Sequence, residues 1–384
     1  MGSSEGDSFI YIGFFLLINV EHVNVSLFVE PVPLNNILVT CSGWCVCNIV
    51  MLLLKSCLPE EFIRRRGVRM PDVKPTDSEV RAYIQSLSNW GRWGTEDELG
   101  TLNFIDQKKR QESAMLVKEG LSVSCARPIV SEPSVDSITP PLHYMVGSGE
   151  AFGLAPDETP GALQSSADFI GMAFHGFTVT HLDALCHIFW KGRMYNDRPS
   201  QLVSNREGAL VESIETVRDG IVSKGVLLDV PRHRGIDWLQ SGEGIFPAEL
   251  EDIQRECNVT VESGDIVLVR TGHYLRRVQH GPMPTANGWP GLEAACLPWL
   301  YEKQVSVLGG DTVSDVVPSG YAEFRQPLHQ IGIVQMGLWL IDNCNLEDLS
   351  NTCAALGRWD FQIILAPLRI QYGTGSPVNP IAVF

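Results

Sequence analysis

Clustered positive charge is the clearest shortage in this sequence: 29 Lys and Arg stand against 45 Asp and Glu, a formal charge of −16. Nucleic acid and anionic membrane surfaces both require basic stripes, so neither is expected as a partner. Long apolar runs are missing too. The run from Phe9 to Val20 falls short of the ~20 residues a spanning helix needs, and no stable membrane insertion is expected. Glu5 and Asp7 precede it, where a secretory signal would carry basic residues. No G-x-G-x-x-G follows a strand and no G-x-x-x-x-G-K-[ST] occurs, which disfavours a nucleotide-binding enzyme. The ten cysteines lack the regular spacing of a disulfide framework. Cys41, Cys45 and Cys47 form no standard zinc-finger half, and Cys186 reads as a small buried hydrophobe. A reducing, cytoplasmic compartment is expected.

What is present suits a well-buried enzyme. Apolar residues make up 44% of the chain and charged residues 19%, a globular balance. Residues 1–70 differ in character from the rest and read as an atypical extension; translated non-coding sequence is the favoured account. From 71 to 384 the pattern is that of one large mixed α/β domain. Helices are expected from Asp77, from Asp106 to about Glu119, over Gly291–Glu302 and over Asp348–Leu356. Strands are expected at Gly171–His181, Gly225–Val230, Asp265–Thr271, Val305–Leu308 and Gln362–Ile370. Their Val, Ile and Leu content suggests a sheet covered on both faces.

Histidine is scarce, nine in all, yet three of them fall with a carboxylate inside the thirteen residues from His175 to His187. Imidazole and carboxylate are what zinc, manganese or iron prefer as ligands. On an extended strand, His181 and Asp183 share a face about 6.6 Å apart along the axis and can converge on one ion. His187 lies too far along for the same strand, so the chain must turn to bring it over the ion. A third ligand must come from elsewhere, and His329 and Asp342 are the candidates. Asp342 sits in an apolar stretch, where a carboxylate is costly unless paired or bound to a metal; the alternative is a helix N-cap.

Asn89–Gly94, Thr180–His187 and Gly373–Pro380 together resemble a branch of the cyclase family of metal-dependent hydrolases, which includes kynurenine formamidases and isatin hydrolases. The likeness runs over residues 85–384. It implies a mixed β-sheet core of swivelling β/β/α type wrapped by helices, a homodimer, and Zn or Mn as cofactor. It also implies His181, Asp183, His329 and Asp342 as ligands and His187 as the catalytic histidine. One departure matters. The family's first histidine falls at Phe177 here, and His175 stands two residues earlier. On a straight strand His175 and His181 would be about 20 Å apart. Either Gly176 bends the chain and His175 becomes a ligand, or His175 faces the substrate.

A divalent ion lowers the pKa of a water from 15.7 toward about 7. That water would attack an amide, formamide, lactam or lactone carbonyl, with His187 moving the proton. Trp90, Trp93, Phe177 and Tyr195 are candidates for an apolar wall around a small, ring-bearing substrate, or else ordinary core aromatics. The same ion could instead polarise a ketone in a cyclase or dehydratase.

Overall fold

The computed structural model describes residues 14–16, 27–29, 72–137, 139–150, 152 and 161–384. Contacts divide the chain into Met1–Arg69 and Met70–Phe384. In the first unit, Phe14–Leu16 pairs antiparallel with Leu27–Val29. The rest of the run from Phe9 to Val20 and the early cysteines lie outside the described residues.

The second unit is mixed α/β. Its sheet runs, edge to edge, Gly375–Pro377, His181–Asp183, Trp339–Asp342, Val307–Gly310, Ile266–Arg270, Ile221–Asp229, Asp360–Leu365, Ile381–Val383 and Ser122–Ser124. The central four strands are parallel, and antiparallel strands close the sheet on either side. Val226, Leu227, Ile266, Leu268, Val307, Leu308, Leu340 and Ile341 are all fully buried. Successive residues of these strands point to opposite faces, so the sheet is covered on both sides, as the aliphatic runs imply.

Local signals start the helices. Thr76 closes a capping box with Glu79 over Asp77–Ser86, and Asp106 accepts from Lys109 N–H at the head of Gln107–Ala114. That helix stops at Ala114, short of Glu119: the amides of Leu116 and Val117 turn to carbonyls three residues back, and those of Glu119 and Gly120 go to the Phe384 carbonyl. The helix expected from Gly291 begins at Cys296. Gly291 and Leu292 pair in parallel with Gly244 and Ile245, and a Cβ on Gly291 would come within 2.4 Å of the Asp315 carbonyl carbon. Glu347–Leu356 forms as the sequence suggests.

The strand expected over Gln362–Ile370 ends at Leu365, and the expectation that fails outright is the strand Gly171–His181. Ala167–Gly171 pairs with Leu142–Gly147 in a separate hairpin, and the next ladder residue is His181. Between them the carbonyls of Gly176, Phe177 and Val179 are taken by the side chains of Asn343 and Arg127 rather than by a neighbouring strand. Tertiary partners override the β-propensity of this segment.

Candidate metal centre

Asp342 ends one buried strand and His181 begins its antiparallel neighbour, in a register that sets the two directly opposite; Leu340 faces Asp183. Leu182, between the two polar residues, points to the other face and is fully buried. The chain then turns through Leu185–His187, where the amide of His187 donates to Ala184 at 2.9 Å. His187 Nε2 thereby comes to 3.9 Å from Asp183 Oδ1. His329 arrives from the π-helix Leu328–Met336, a geometry that collects at functional sites. Asp342 caps no helix: the next one starts at Glu347, with Leu346 at its N-cap.

His175 returns to this group. The straight-strand separation does not apply, because residues 172–180 take a detour, and His175 Nδ1 lies 2.9 Å from Asp183 Oδ1. Its ring stacks on that of His187, centroids 3.7 Å apart and planes nearly parallel at 4°. The Gly373–Pro380 motif makes room for it. Thr374 Oγ1 lies 3.1 Å from His175 Nε2, and a Cβ on Gly375 would come within 2.7 Å of His175 Cε1.

Two donor sets result, His175–Asp183–His187 and His181–Asp183–Asp342, each with its ligand atoms within 4.8 Å of one another. His329 Nε2 lies 3.3 Å from Asp342 and 3.6 Å from Asp183. Backbone and carboxylate partners fix the tautomers. His181 Nδ1 meets the Val179 carbonyl at 2.8 Å, and His329 Nδ1 meets Asp315 at 2.7 Å. Both Nε2 atoms are thereby left facing the carboxylates, the outer-shell arrangement common around ligating histidines. Asp315 is held in turn by the amides of Leu328 and His329.

These residues fit a cation. His175 Nδ1 and Asp183 Oδ1 are close enough for an ion pair yet misaligned for a hydrogen bond. Both atoms, with Asp183 Oδ2 and Asp342 Oδ1, are buried without a hydrogen-bond partner. Buried polar atoms are rarely left so. Burial alone would raise the Asp183 pKa, but the imidazoles of His187, His175 and His181 hold it below the usual carboxylate range. At His329 burial is outweighed by Asp342 and Asp315, which raise its pKa well above the ordinary value; the pocket draws positive charge. His187 differs from its near-neutral expectation: burial pushes it down to about 4, leaving a neutral base at pH 7. The floor is closed and the rim is open. His181 and Asp183 are buried, while the side chains of His175 and His187 are 24% and 25% exposed.

The aromatic candidates divide. Phe177 stacks on Trp289 at 4.6 Å. Tyr195 is fully buried with its hydroxyl on Asp97, the Trp90 indole donates to Val334, and Trp93 packs edge-on against Phe104. None of these last three contacts involves the histidine cluster. Asp311 accepts from Thr271 through Oδ1. Asp315, Thr374 and Gly375 were not singled out by sequence reasoning as site residues. The signal for the last two lay in the Gly373–Pro380 motif; Asp315 had none, because its link to His329 is tertiary.

The family model for putative cyclases matches residues 118–315. The solved structure of a novel cyclase is 30% identical, over 78% of this chain and 100% of that one, with a TM-score of 0.70. Isatin hydrolase A from Ralstonia solanacearum is 21% identical over 69% of this chain and 92% of its own, with a TM-score of 0.50, a likeness of fold. No curated protein matches. A model covering residues 118–315 and a relative at 30% identity over its whole length lead to one conclusion: this chain belongs to the cyclase family.

Proposed function

We propose that the protein is a metal-dependent hydrolase that cleaves a C–N bond, in an amide, formamide or lactam, of a small aromatic substrate. The observation that carries this reading is the set of buried, unpartnered carboxylate and imidazole atoms around Asp183. A divalent cation held there, zinc or manganese, would acidify a water and polarise the substrate carbonyl. His181, Asp183, His329, Asp342 and His175 are the proposed ligands. His187 is part-exposed, neutral at pH 7 and beside Asp183; it would take the water's proton and return it to the leaving nitrogen. Phe177 with Trp289, Phe174 beside His175 and part-exposed Phe189 two residues past His187 supply aromatic surface for a ring. Trp90, Trp93 and Tyr195 we assign to holding the structure.

The test is metal analysis together with a hydrolysis panel of isatin, N-formylkynurenine and simple lactones. One or two equivalents of zinc or manganese and turnover of an amide or lactam are expected. A metal-free protein that is active would refute the assignment. The description of the family and of the 30% identical relative as cyclases favours a second reading, a cyclase, lactonase or dehydratase using the same ion and base; the panel separates them.

We further propose a cytoplasmic homodimer. The hairpin Leu142–Gly147 with Ala167–Gly171 has no buried residue and exposes Leu142, Tyr144, Met145, Val146, Phe169 and Ile170. A lone two-stranded hairpin is marginal in water, and an apolar patch of this kind marks an interaction site. Light scattering on purified protein reads the mass, and a monomer would remove the dimer.

A further inference from the structure

The detour at residues 172–180 carries His175 and delivers His181, yet it has no ladder of its own to hold it. The carbonyls of Gly176, Phe177 and Val179 are held by two buried side chains, and at its end Thr180 accepts from the Val378 amide. Asn343, fully buried, donates through Nδ2 to the carbonyls of Gly176 at 2.7 Å and Val179 at 3.2 Å. Its own carbonyl accepts from Thr180 Oγ1 at 2.7 Å. Arg127, 5% exposed, donates through Nη1 to Phe177 at 3.0 Å, and its amide donates to Thr180 Oγ1 at 2.9 Å. The same guanidinium reaches the carbonyls of Asp311 and Cys344. Its hydrogen bonds thus go to main-chain carbonyls, and its other close neighbour is the Tyr274 ring, 4.9 Å away. Among the described residues no carboxylate lies within ion-pair distance of it, the Asp311 charge acting only from farther off, and a cation buried so is costly. Here that cost ties three segments together: the His175 loop, the turn after Gly310, and the strand end just past Asp342.

We infer that Arg127 and Asn343 form a latch that sets the detour, so that His175 and His181 reach Asp183; both are positioning residues. Asn343 follows Asp342 directly and holds the Val179 carbonyl that also receives His181 Nδ1. One residue therefore couples the strand bearing one carboxylate to the loop that bears one imidazole and leads directly into another. A side chain that only filled space would have no need to place its donors on carbonyls flanking those histidines.

This inference rests on the metal reading and is tested by zinc affinity of the full-length protein, measured by competition with a chromophoric chelator. Asn343→Ala should weaken zinc binding about tenfold to a hundredfold, the range found when outer partners of ligating residues are lost. Ser223→Ala is the control, since it removes a buried hydrogen bond to Gly264 away from the site; it should lower the melting temperature but leave zinc affinity unchanged. In a His175→Ala background, Asn343→Ala should cost a distinctly smaller factor, because part of its effect passes through that imidazole. If wild type binds no zinc, the metal reading itself fails. If wild type binds and Asn343→Ala binds within twofold of it, or loses no more than Ser223→Ala, the latch is refuted. Should Asn343→Ala prove insoluble, Arg127→Lys takes its place, since a lysine cannot fork to three carbonyls. Insolubility of both beside a folded Ser223→Ala would also refute the latch, by showing that these residues carry the fold rather than the site.

Discussion

Asp183 and Asp315 are both buried carboxylates, and their neighbours give them different tasks. Asp183 has two oxygens with no hydrogen-bond partner and four imidazoles around it, as a ligand would. Asp315 spends its oxygens on two amides and on His329 Nδ1, as a group that orients a ligand would. Asp315→Asn should keep the fold and weaken zinc or manganese binding about 10- to 100-fold, read by chelator competition; unchanged affinity would remove Asp315 from that role. His187→Ala should retain the metal and lose on the order of 100-fold or more in turnover, measured on whichever substrate the panel identifies. At this scale the sequence was informative where residue type and spacing carry chemistry. His181, Asp183 and His187 stand close in the chain, and period two with a turn suffices to group them. Asp315 was not legible, because nothing local announces that it faces a histidine fourteen residues on.

Strands and loops tell a complementary story. The buried parallel strands were legible because their aliphatic runs have one physical solution, a sheet covered on both faces. The segment 172–180 was not. Its Val and Thr favour a strand, and only side chains far along in sequence turn it aside. That same detour brings His175 to Asp183 from two residues before Phe177, the family's histidine position. The edge strand Gly375–Pro377 matters for the same reason. A Cβ on Gly375 would meet the Leu182 carbonyl at 2.6 Å and His175 Cε1 at 2.7 Å. Gly375→Ala should therefore displace His175, lowering metal content by inductively coupled plasma analysis while circular dichroism stays close to wild type. Full metal content in that variant would show that the edge strand yields and the histidine does not need the space.

For the whole molecule, two buried groups give opposite pH slopes. His273 is pushed down to about 3, by burial first and then by Arg127 and Arg276. Between about 3 and the ordinary 6.5 the unfolded chain binds the extra proton, so this contribution to stability is full above 6.5 and is lost as pH falls. Glu212 is fully buried, with neither oxygen hydrogen-bonded, and burial outweighs the Arg198 guanidinium 3.3 Å away to push it up to about 8. The folded chain holds a proton that the unfolded chain releases above about 4.5, so its contribution is present in acid and lost as pH rises through 8. Urea midpoints of Glu212→Gln should exceed wild type at pH 9 and approach it at pH 5; the reverse order would contradict the assignment. The contrast between closed floor and open rim also dictates an order of events. If the proposed site takes a cation at the buried set His181, Asp183 and Asp342, it would exchange by way of the part-exposed His175 and His187. Where metal analysis gives two equivalents, removal by a chelator should run in two phases, with the ion beside His175 and His187 shed first; where it gives one, a single phase is expected.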